Sequence, residues 1–292
     1  MKLGLLVEAE EGLTWARWRR LVSAAEDLEF DSIWISDHLR SPWDAERHGL
    51  EAWTALAVAA AQTRRIGLGT LVSPVTFRPA AIVARMAESL DQLSGGRLTV
   101  GLGLGWNDVE HAAFGLPFPP AAERARLLDQ SIAALRATFG ERPLRVLVGG
   151  GGRRTLEIVA RAADEWNITT SDVEHFSARA VVLDAECANI GRAPRSIERS
   201  IAVGVLIGGN ETELHERSAR MQACVPPLAH ASVADVPAAA RAQGWVAGTP
   251  SEVLCALRNL GAAGVQRAML GLYDLDDVRG LEILAEQVLG KI

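Results

Sequence analysis

One stretch decides the predicted fold: LSGGRLTVGLGLGWNDVE, residues 93–110. It opens with a Ser-Gly-Gly turn at 94–96, which follows apolar residues at helical spacing. The apolar run 98–104 is bounded by glycines and predicts a short buried strand. A polar and aromatic cluster follows at once, with Trp106, Asn107 and Glu110. A buried strand that ends in such a cluster is typical of the ligand-binding edge of a parallel α/β sheet.

The same unit, a short apolar strand followed by a helical pattern, recurs along the chain. Eight strands are predicted, at residues 3–7, 32–36, 66–71, 98–104, 144–148, 165–168, 201–207 and 266–272. Their number, their alternation with helices and the length of the chain predict one α/β domain, a (β/α)8 TIM barrel over 1–292 with an insertion after strand 7 at 209–248. An open doubly wound sheet is the rival, because eight alternations do not prove that the sheet closes.

Composition excludes several classes of protein. The net charge of −6 and the lack of a basic run argue against a nucleic-acid partner. The longest apolar runs are much shorter than the roughly 20 residues that cross a membrane. Three widely spaced cysteines form no metal or redox motif, so a reducing cytoplasm is expected. Only Lys2 and Lys291 are lysines and the other 28 basic residues are arginines, which excludes an interior Schiff-base lysine and a Walker phosphate loop.

Polar side chains cluster where the predicted strands end, the face on which barrel enzymes carry out their chemistry. Asp37 and His38 follow the second strand, and an imidazole with an ordinary pKa near ~6.5 suits proton exchange at neutral pH. The two residues could form an acid–base pair, or His38 could simply bond to loop backbone, and the sequence leaves both open. The nearby Asp44, Glu46 and His48 lack the spacing of metal ligands, so no metal is expected.

Four consecutive glycines at 149–152 follow the fifth strand and precede Arg153 and Arg154. Glycine N–H groups, a helix N-terminus and two guanidinium groups could together cradle a phosphate. A tight turn with solvated arginines explains the run equally well. Both interpretations stay open on the residues alone.

Seven segments together make the chain resemble the luciferase-like monooxygenase superfamily, and within it the group that uses the deazaflavin coenzyme F420. They are FDSIWISDHL (30–39), GLGTLVSP (67–74), LDQLSGGR (90–97), GWNDVE (105–110), VGGG (148–151), ARAADEWN (160–167) and GTP (248–250). They occur in family order and span nearly the whole chain. They are highly specific for the superfamily, less so for the cofactor and almost silent on the substrate.

The resemblance implies a barrel that holds a deazaflavin or flavin ring at the carboxyl ends of its strands. It implies a bulge after the third strand, with a non-prolyl cis peptide at Leu71-Val72 behind the ring. It makes His38 the cofactor-side histidine and Asp37 the carboxylate beside it. The other implied cofactor contacts, several of them to phosphate, are Thr70, Gly105, Asn107, Gly149, Gly150, Gly151, Arg153, Thr170 and Ser171.

The chain departs from the sugar-phosphate dehydrogenases of this group at two points. Those members carry a carboxylate directly after the Gly-x-Gly of the fourth strand, where this chain has Trp106, with Glu110 four positions on. Their lysine for the substrate phosphate has no counterpart among Lys2 and Lys291. A sugar-phosphate substrate is therefore not expected.

Three functions follow, in order of preference. The first is an F420-dependent oxidoreductase that moves a hydride between C5 of the deazaflavin and an unidentified organic substrate. The second is an FMN-dependent two-component monooxygenase, which would need a flavin reductase as partner, and the third is a non-catalytic flavin-binding barrel. A homodimer is compatible with the resemblance. For the first function, the catalytic residues are His38, Asp37 and Glu110, and the substrate pocket is shaped by Trp43, Trp106 and Tyr273.

Overall fold

The computed structural model describes residues 1–292, in which ten strands alternate with eleven α-helices. The strands are β1 (Lys2–Val7), β2 (Ser32–Ile35), β3 (Gly67–Thr70), β4 (Ser73–Pro74), β5 (Leu98–Gly103), β6 (Arg145–Gly149), β7 (Glu165–Thr169), β8 (Glu198–Ile207), β9 (Val246–Gly248) and β10 (Arg267–Leu272). The helices are α1 (Trp15–Asp27), α2 (Ala52–Gln62), α3 (Ala80–Ser94), α4 (Asp108–Ala113), α5 (Ala121–Phe139), α6 (Arg153–Ala162), α7 (Val173–Asn189), α8 (Glu211–Cys224), α9 (Val236–Ala242), α10 (Pro250–Ala262) and α11 (Val278–Gln287).

The sheet closes on itself, and every strand pairing in it is parallel. β1 pairs with β2 on one side and with β10 on the other, from Lys2 opposite Arg267 to Val7 opposite Leu272. β10 also pairs with β8, which completes the ring through β7, β6, β5 and β3. The predicted TIM barrel is confirmed, and the rival open sheet is wrong, because an open sheet would have two edge strands whereas this ring has none.

The barrel has eight strand positions, which we call staves, and the third of them is interrupted between β3 and β4. β3 pairs with β5 up to Gly69 opposite Thr99, and β4 resumes with Ser73 opposite Leu102, so one stave has an extra residue. That count defines a β-bulge. Within it the Thr70 hydroxyl donates to the Gly101 carbonyl at 2.8 Å and accepts from the Gly101 N–H at 3.1 Å. The expected cis peptide at Leu71-Val72 is present in the bulge.

The predicted insertion folds as a small layer over the end of β8. It contains α8, α9 and the short strand β9, which extends the end of β8 by pairing Val205 with Val246. The sequence pattern did not predict β9, whose three residues are too few to show a strand period. Its apolar side chains form their own cluster: Leu206, Leu214, Met221, Val225, Leu228, Val236, Ala240 and Ala247.

The main core lies between the barrel and its outer helices, while a second cluster fills the barrel interior. The interior cluster is formed by Leu6, Trp34, Leu147, Ala202 and Met269, with Leu71 and Val72 packed on it. The Trp34 indole donates to Ser32 at 2.9 Å inside this cluster. The barrel is therefore plugged, and only the space above the plug is open to a ligand.

Features expected of some other protein classes do not occur in the structure. No helix combines the length and the hydropathy that a membrane-spanning segment needs. No three histidine, cysteine, aspartate or glutamate side chains are grouped to hold a metal ion. All three cysteines are free thiols.

Candidate active site

A cavity of about 450 Å³ opens at the carboxyl ends of the barrel strands. Residues from all eight staves line it, so the whole mouth of the barrel contributes to one site. The volume lies within the range of roughly 300–1,000 Å³ that is typical of small-molecule and cofactor sites. The position is the one where TIM-barrel enzymes carry their active sites.

His38 and Glu110 form the central charged pair of this cavity. The imidazole Nδ1 lies 2.9 Å from Glu110 Oε2, and the other Glu110 oxygen accepts the backbone N–H groups of Leu39 and Arg40. Asn107 caps α4 by accepting the Glu110 N–H at 3.0 Å, which fixes the carboxylate at the start of that helix. Glu110 is only 1% exposed. The end of β5 is thus tied to the loop after β2.

Electrostatics make this contact an ion pair at neutral pH. Burial opposes a charge on His38, but the Glu110 hydrogen bond and the charges of Glu10, Glu110 and Glu8 raise its pKa to about 9. Burial likewise opposes ionisation of Glu110, yet the contacts with His38 hold its pKa below the ordinary value. His38 is therefore an imidazolium, and its Nε2–H has no hydrogen-bond partner within the protein.

Asp37 is not hydrogen-bonded to His38, so the acid–base pair considered from the sequence does not form. Its carboxylate takes two hydrogen bonds from Arg78, at 2.6 and 3.1 Å, and a third from Ser73 at 2.6 Å. It is almost fully buried and does not line the cavity. The reason is geometric: alternate residues at a strand end point to opposite sides, and His38 faces the cavity. The carboxylate that is hydrogen-bonded to His38 is that of Glu110.

The bulge and two glycines form the floor of the cavity. Leu71, Val72, Gly105 and Asn107 line it as predicted for cofactor contacts, and so do Gly149 and Gly150. A Cβ on Gly103 would lie 2.5 Å from a Val72 methyl carbon, and one on Gly149 would lie 3.1 Å from the other. Side chains at these two positions would crowd Val72, so glycine keeps the floor clear for a ring system.

Other predicted cofactor contacts lie outside the cavity lining. Thr70 is buried in the bulge, where it holds Gly101. Arg153 is 79% exposed at its side chain and faces Glu157 and Glu186, because the first turn of α6 points it to solvent. The remaining three that do not line the cavity are Gly151, Thr170 and Ser171. Thr155, in the first turn of α6, and Thr169 line it instead.

The start of α6 fits an anionic group. No side chain caps this helix, so the N–H groups of its first turn are free to bind. Gly150 precedes it with φ of +129°, a conformation that residues with side chains rarely adopt. The glycine floor and this uncapped helix start together fit a ring with a phosphate-bearing tail.

Aromatic side chains form one wall and the rim. Trp106 lines the cavity, and its ring is edge-on to the His38 ring with the centroids 5.6 Å apart. The residue is 65% exposed, because its other side faces solvent. Tyr273 also lines the cavity, and its ring stacks on Trp245 with the ring centroids 4.5 Å apart. Trp43 does not line the cavity; its ring lies 6.1 Å from the Tyr273 ring at the rim. Of the three residues predicted to shape the substrate pocket, Trp106 and Tyr273 line the cavity and Trp43 does not.

Sequence reasoning missed Trp245 and Glu8, which both line the cavity. Trp245 belongs to the insertion and reaches the barrel because Gly204 is bare: a Cβ there would lie 2.4 Å from the indole ring. No local pattern signals that contact. Glu8 does have a signal, because it directly follows β1 at the same barrel face that singled out His38.

Glu8 lies in a carboxyl-rich corner of the cavity. Burial raises the pKa of Glu8 to about 8, with Glu10 adding to it and His38 and Ser36 opposing. Glu10 accepts the Ser36 hydroxyl at 2.6 Å, and burial raises its pKa as well. Of the residues that line the cavity none is a lysine or an arginine. The imidazolium of His38 thus brings a positive charge into a lining that has no lysine or arginine.

Comparison with known proteins defines the class of this barrel. Residues 1–267 match the luciferase-like monooxygenase family, and the chain belongs to that family. Among its relatives, the F420-dependent glucose-6-phosphate dehydrogenase of Kineococcus radiotolerans is 27% identical over 302 aligned positions, which cover 90% of this chain and 89% of that protein. The protein of the same name from Intrasporangium calvum is 38% identical over 135 positions, which are 45% of this chain and only 40% of that relative.

Solved structures show the same fold. The coenzyme F420-dependent tetrahydromethanopterin reductase of Methanopyrus kandleri matches with a TM-score of 0.77 at 19% identity, over 99% of this chain and 98% of that one. The monooxygenase RslO1 of Streptomyces bottropensis matches with a TM-score of 0.81 at 21% identity, over 99% of both chains. These neighbours include both F420-dependent and monooxygenase enzymes, so the fold alone does not choose between the cofactors.

Proposed function

We propose that the protein is an F420-dependent oxidoreductase that acts on an uncharged organic substrate. The observation that carries this proposal is the glycine-floored cavity beside an uncapped helix start, with the His38–Glu110 ion pair in its lining. The cofactor choice is supported by the relatives named F420-dependent glucose-6-phosphate dehydrogenase, one of which covers nine-tenths of this chain. When bound, a deazaflavin supplies hydride exchange at its C5 and no oxygen adduct.

The residues divide the binding task among them. Val72, Gly103 and Gly149 would support the ring from below, since their surfaces form the cavity floor. Gly150 and the first turn of α6, with Thr155, would take the phosphate. His38 presents Nε2–H as a charged donor toward the substrate or the ring, and Glu110 holds the imidazolium in place.

The substrate differs in class from a sugar phosphate. A phosphate group is normally held by arginine or lysine, and the cavity lining has neither. The His38 imidazolium in this lining is already paired with Glu110, which weakens its attraction for a second anion. The wall of Trp106, Trp245 and Tyr273 favours a neutral molecule with an apolar or aromatic face.

A cofactor titration tests the proposal. We expect coenzyme F420 to bind the purified protein in the micromolar range, followed by its fluorescence, and FMN to bind more weakly. Gly149→Ala should weaken F420 binding by crowding Val72, whereas Gly261→Ala, which meets no atom within 4 Å, should not. Absence of F420 binding to the wild type would overturn the proposal.

The alternative is an FMN-dependent monooxygenase, and the shared fold of the monooxygenase RslO1 is compatible with it. Oxygen uptake with reduced FMN and a flavin reductase, together with a failure of F420 to bind, would favour it. A non-catalytic barrel would bind a cofactor and show no turnover, and His38→Ala would then change stability alone.

A single domain over 1–292, a homodimer and a cytoplasmic location stay predictions. Gel filtration with light scattering tests the homodimer.

A further inference from the structure

Glu8 occupies a position that gives it access to the bound substrate. It is the first residue after β1, and its partly buried side chain lines the cavity. β1 lies between β2 and β10, so Glu8 sits between the strand end that carries His38 and the one that carries Tyr273. A molecule in the cavity that reaches from His38 to Tyr273 therefore lies beside the strand end that carries Glu8.

The groups around Glu8 leave it without a countercharge of its own. It forms no salt bridge; Glu10 and Glu11 on its own loop are carboxyl groups, and the imidazolium on the next strand is already paired with Glu110. The phenol of Tyr273, on the other neighbouring strand, has its pKa raised by burial and then by Glu8 and Glu10. Burial and the neighbouring carboxyl groups therefore favour the neutral form of Glu8.

The cavity thus holds two carboxyl groups in opposite protonation states. Glu110 is ionised because His38 is bonded to it, whereas Glu8 keeps its proton to about pH 8. When the pKa values of two carboxyl groups in one active site are shifted in opposite directions, one group typically serves as a proton donor and the other as a stabilising anion. An acid with a pKa close to the working pH is also the most effective proton donor.

We propose that Glu8 is a catalytic acid that gives its proton to the carbonyl oxygen of a neutral substrate during reduction. The proposal rests on the function proposed above. Reduction of a carbonyl group adds a hydride to carbon and a proton to oxygen. A bound reduced deazaflavin would supply the hydride with both of its electrons. At Glu8 the O–H bond breaks, a new O–H bond forms on the substrate, and solvent returns a proton to the carboxylate afterwards.

His38 has a different task in this scheme. If the imidazolium lost its proton, the buried Glu110 carboxylate would lose its counterion. When Glu8 loses its proton, the new carboxylate gains the attraction of His38 instead. His38 therefore acts as a fixed positive charge that stabilises both the negative oxygen of the substrate and the ionised acid.

The first test does not depend on turnover. The infrared band of the protonated carboxyl group is followed from about pH 5 to about pH 9, in the wild type and in Glu8→Gln, with Glu46→Gln as a control on an exposed loop residue. In the wild type and in the control we expect one band to disappear as the pH rises, with a midpoint near pH 8. Glu8→Gln should lack this band at every pH. The proposal would be overturned if Glu8→Gln removed no band from the wild-type spectrum.

The second test uses reduced F420 with cyclohexanone and cyclohex-2-enone as probes. We expect Glu8→Gln to lower kcat by roughly 10²–10⁴-fold without changing F420 affinity, and to abolish the fall of wild-type kcat above about pH 8. His38→Gln should keep that fall and move it to higher pH, because Glu8 then lacks the stabilising cation. Glu46→Gln should match the wild type.

The possible failures are distinguishable. If F420 does not bind the wild type, the proposed function fails and the role of Glu8 fails with it. If F420 binds but neither ketone is reduced, or if Glu8→Gln keeps the wild-type kcat and pH profile, only the role of Glu8 is overturned. If His38→Gln rather than Glu8→Gln abolishes the alkaline fall, the proton donor is the imidazolium.

Discussion

Replacing Glu110 by glutamine should lower the pKa of His38 from about 9 to 6.5 or below. The substitution removes the carboxylate 2.9 Å from Nδ1 but keeps an amide oxygen that can accept the N–H groups of Leu39 and Arg40. Burial, the largest single influence on His38, then acts with less opposition. Since one pH unit corresponds to about 1.4 kcal/mol, the surroundings of His38, in which the Glu110 hydrogen bond is the largest favourable contribution, favour the imidazolium by roughly 3 kcal/mol.

Nuclear magnetic resonance of histidine-labelled protein measures this directly. The chain has six histidines, and the ring signals of His38 are assigned by their loss in His38→Gln. We expect the wild-type ring to be doubly protonated at neutral pH and the Glu110→Gln ring to be neutral. Glu141→Gln, which removes an exposed carboxylate, is the control.

The same pair predicts a pH dependence of stability. The folded protein holds the His38 proton more tightly than the unfolded chain, so this stabilisation is complete below about pH 6.5 and is lost as the pH rises through about 9. The wild type should lose roughly 3 kcal/mol of unfolding free energy over that window through His38, and Glu110→Gln should not. A wild-type His38 that titrates near its ordinary pKa, or a titration unchanged in Glu110→Gln, would refute the reasoning.

Three further predictions concern neighbouring groups. Asp37→Asn should cost about 3 kcal/mol in urea unfolding, because it takes the charge from a buried partner of Arg78, and should leave the His38 titration unchanged; a shift of that titration would restore Asp37 as its partner. Glu8→Gln should flatten the fall in stability between about pH 4.5 and about pH 8, since the folded wild type keeps a proton there that the unfolded chain releases at about 1.4 kcal/mol per pH unit; an unchanged slope contradicts this. Trp245→Ala should weaken binding of an aromatic ketone more than binding of F420, measured by calorimetry, and equal losses would show that the insertion serves the cofactor.

The architecture was predictable because the barrel strands carry a strong local signal. Strands that are buried on both faces read as short continuous apolar runs, and each ends at a glycine or polar residue. The position of His38 at the open face follows from the same rule, since all eight staves run in one direction. The family pattern supplied the bulge at Leu71-Val72, which no propensity predicts.

The partners of the site residues were not predictable, because they depend on contacts between distant segments. The sequence places Asp37 beside His38, yet adjacent residues at a strand end face opposite ways and the imidazole meets Glu110 instead. Helix α4 was missed because six residues are too short to show a helical period. Trp245 reaches the cavity only because Gly204, on another element, has no side chain.

The bond between His38 and Glu110 has a consequence for how the protein acquires activity as it folds. It joins residues 72 positions apart, and β3, β4, α2, α3 and β5 lie between them in the chain. Such a contact forms only after the intervening chain has been ordered, because closing a long loop costs entropy before the contact repays it. Amide protons of Leu39 and Arg40, which donate to Glu110, should become protected from exchange late during refolding. A half-built barrel would therefore hold a core without holding a working site.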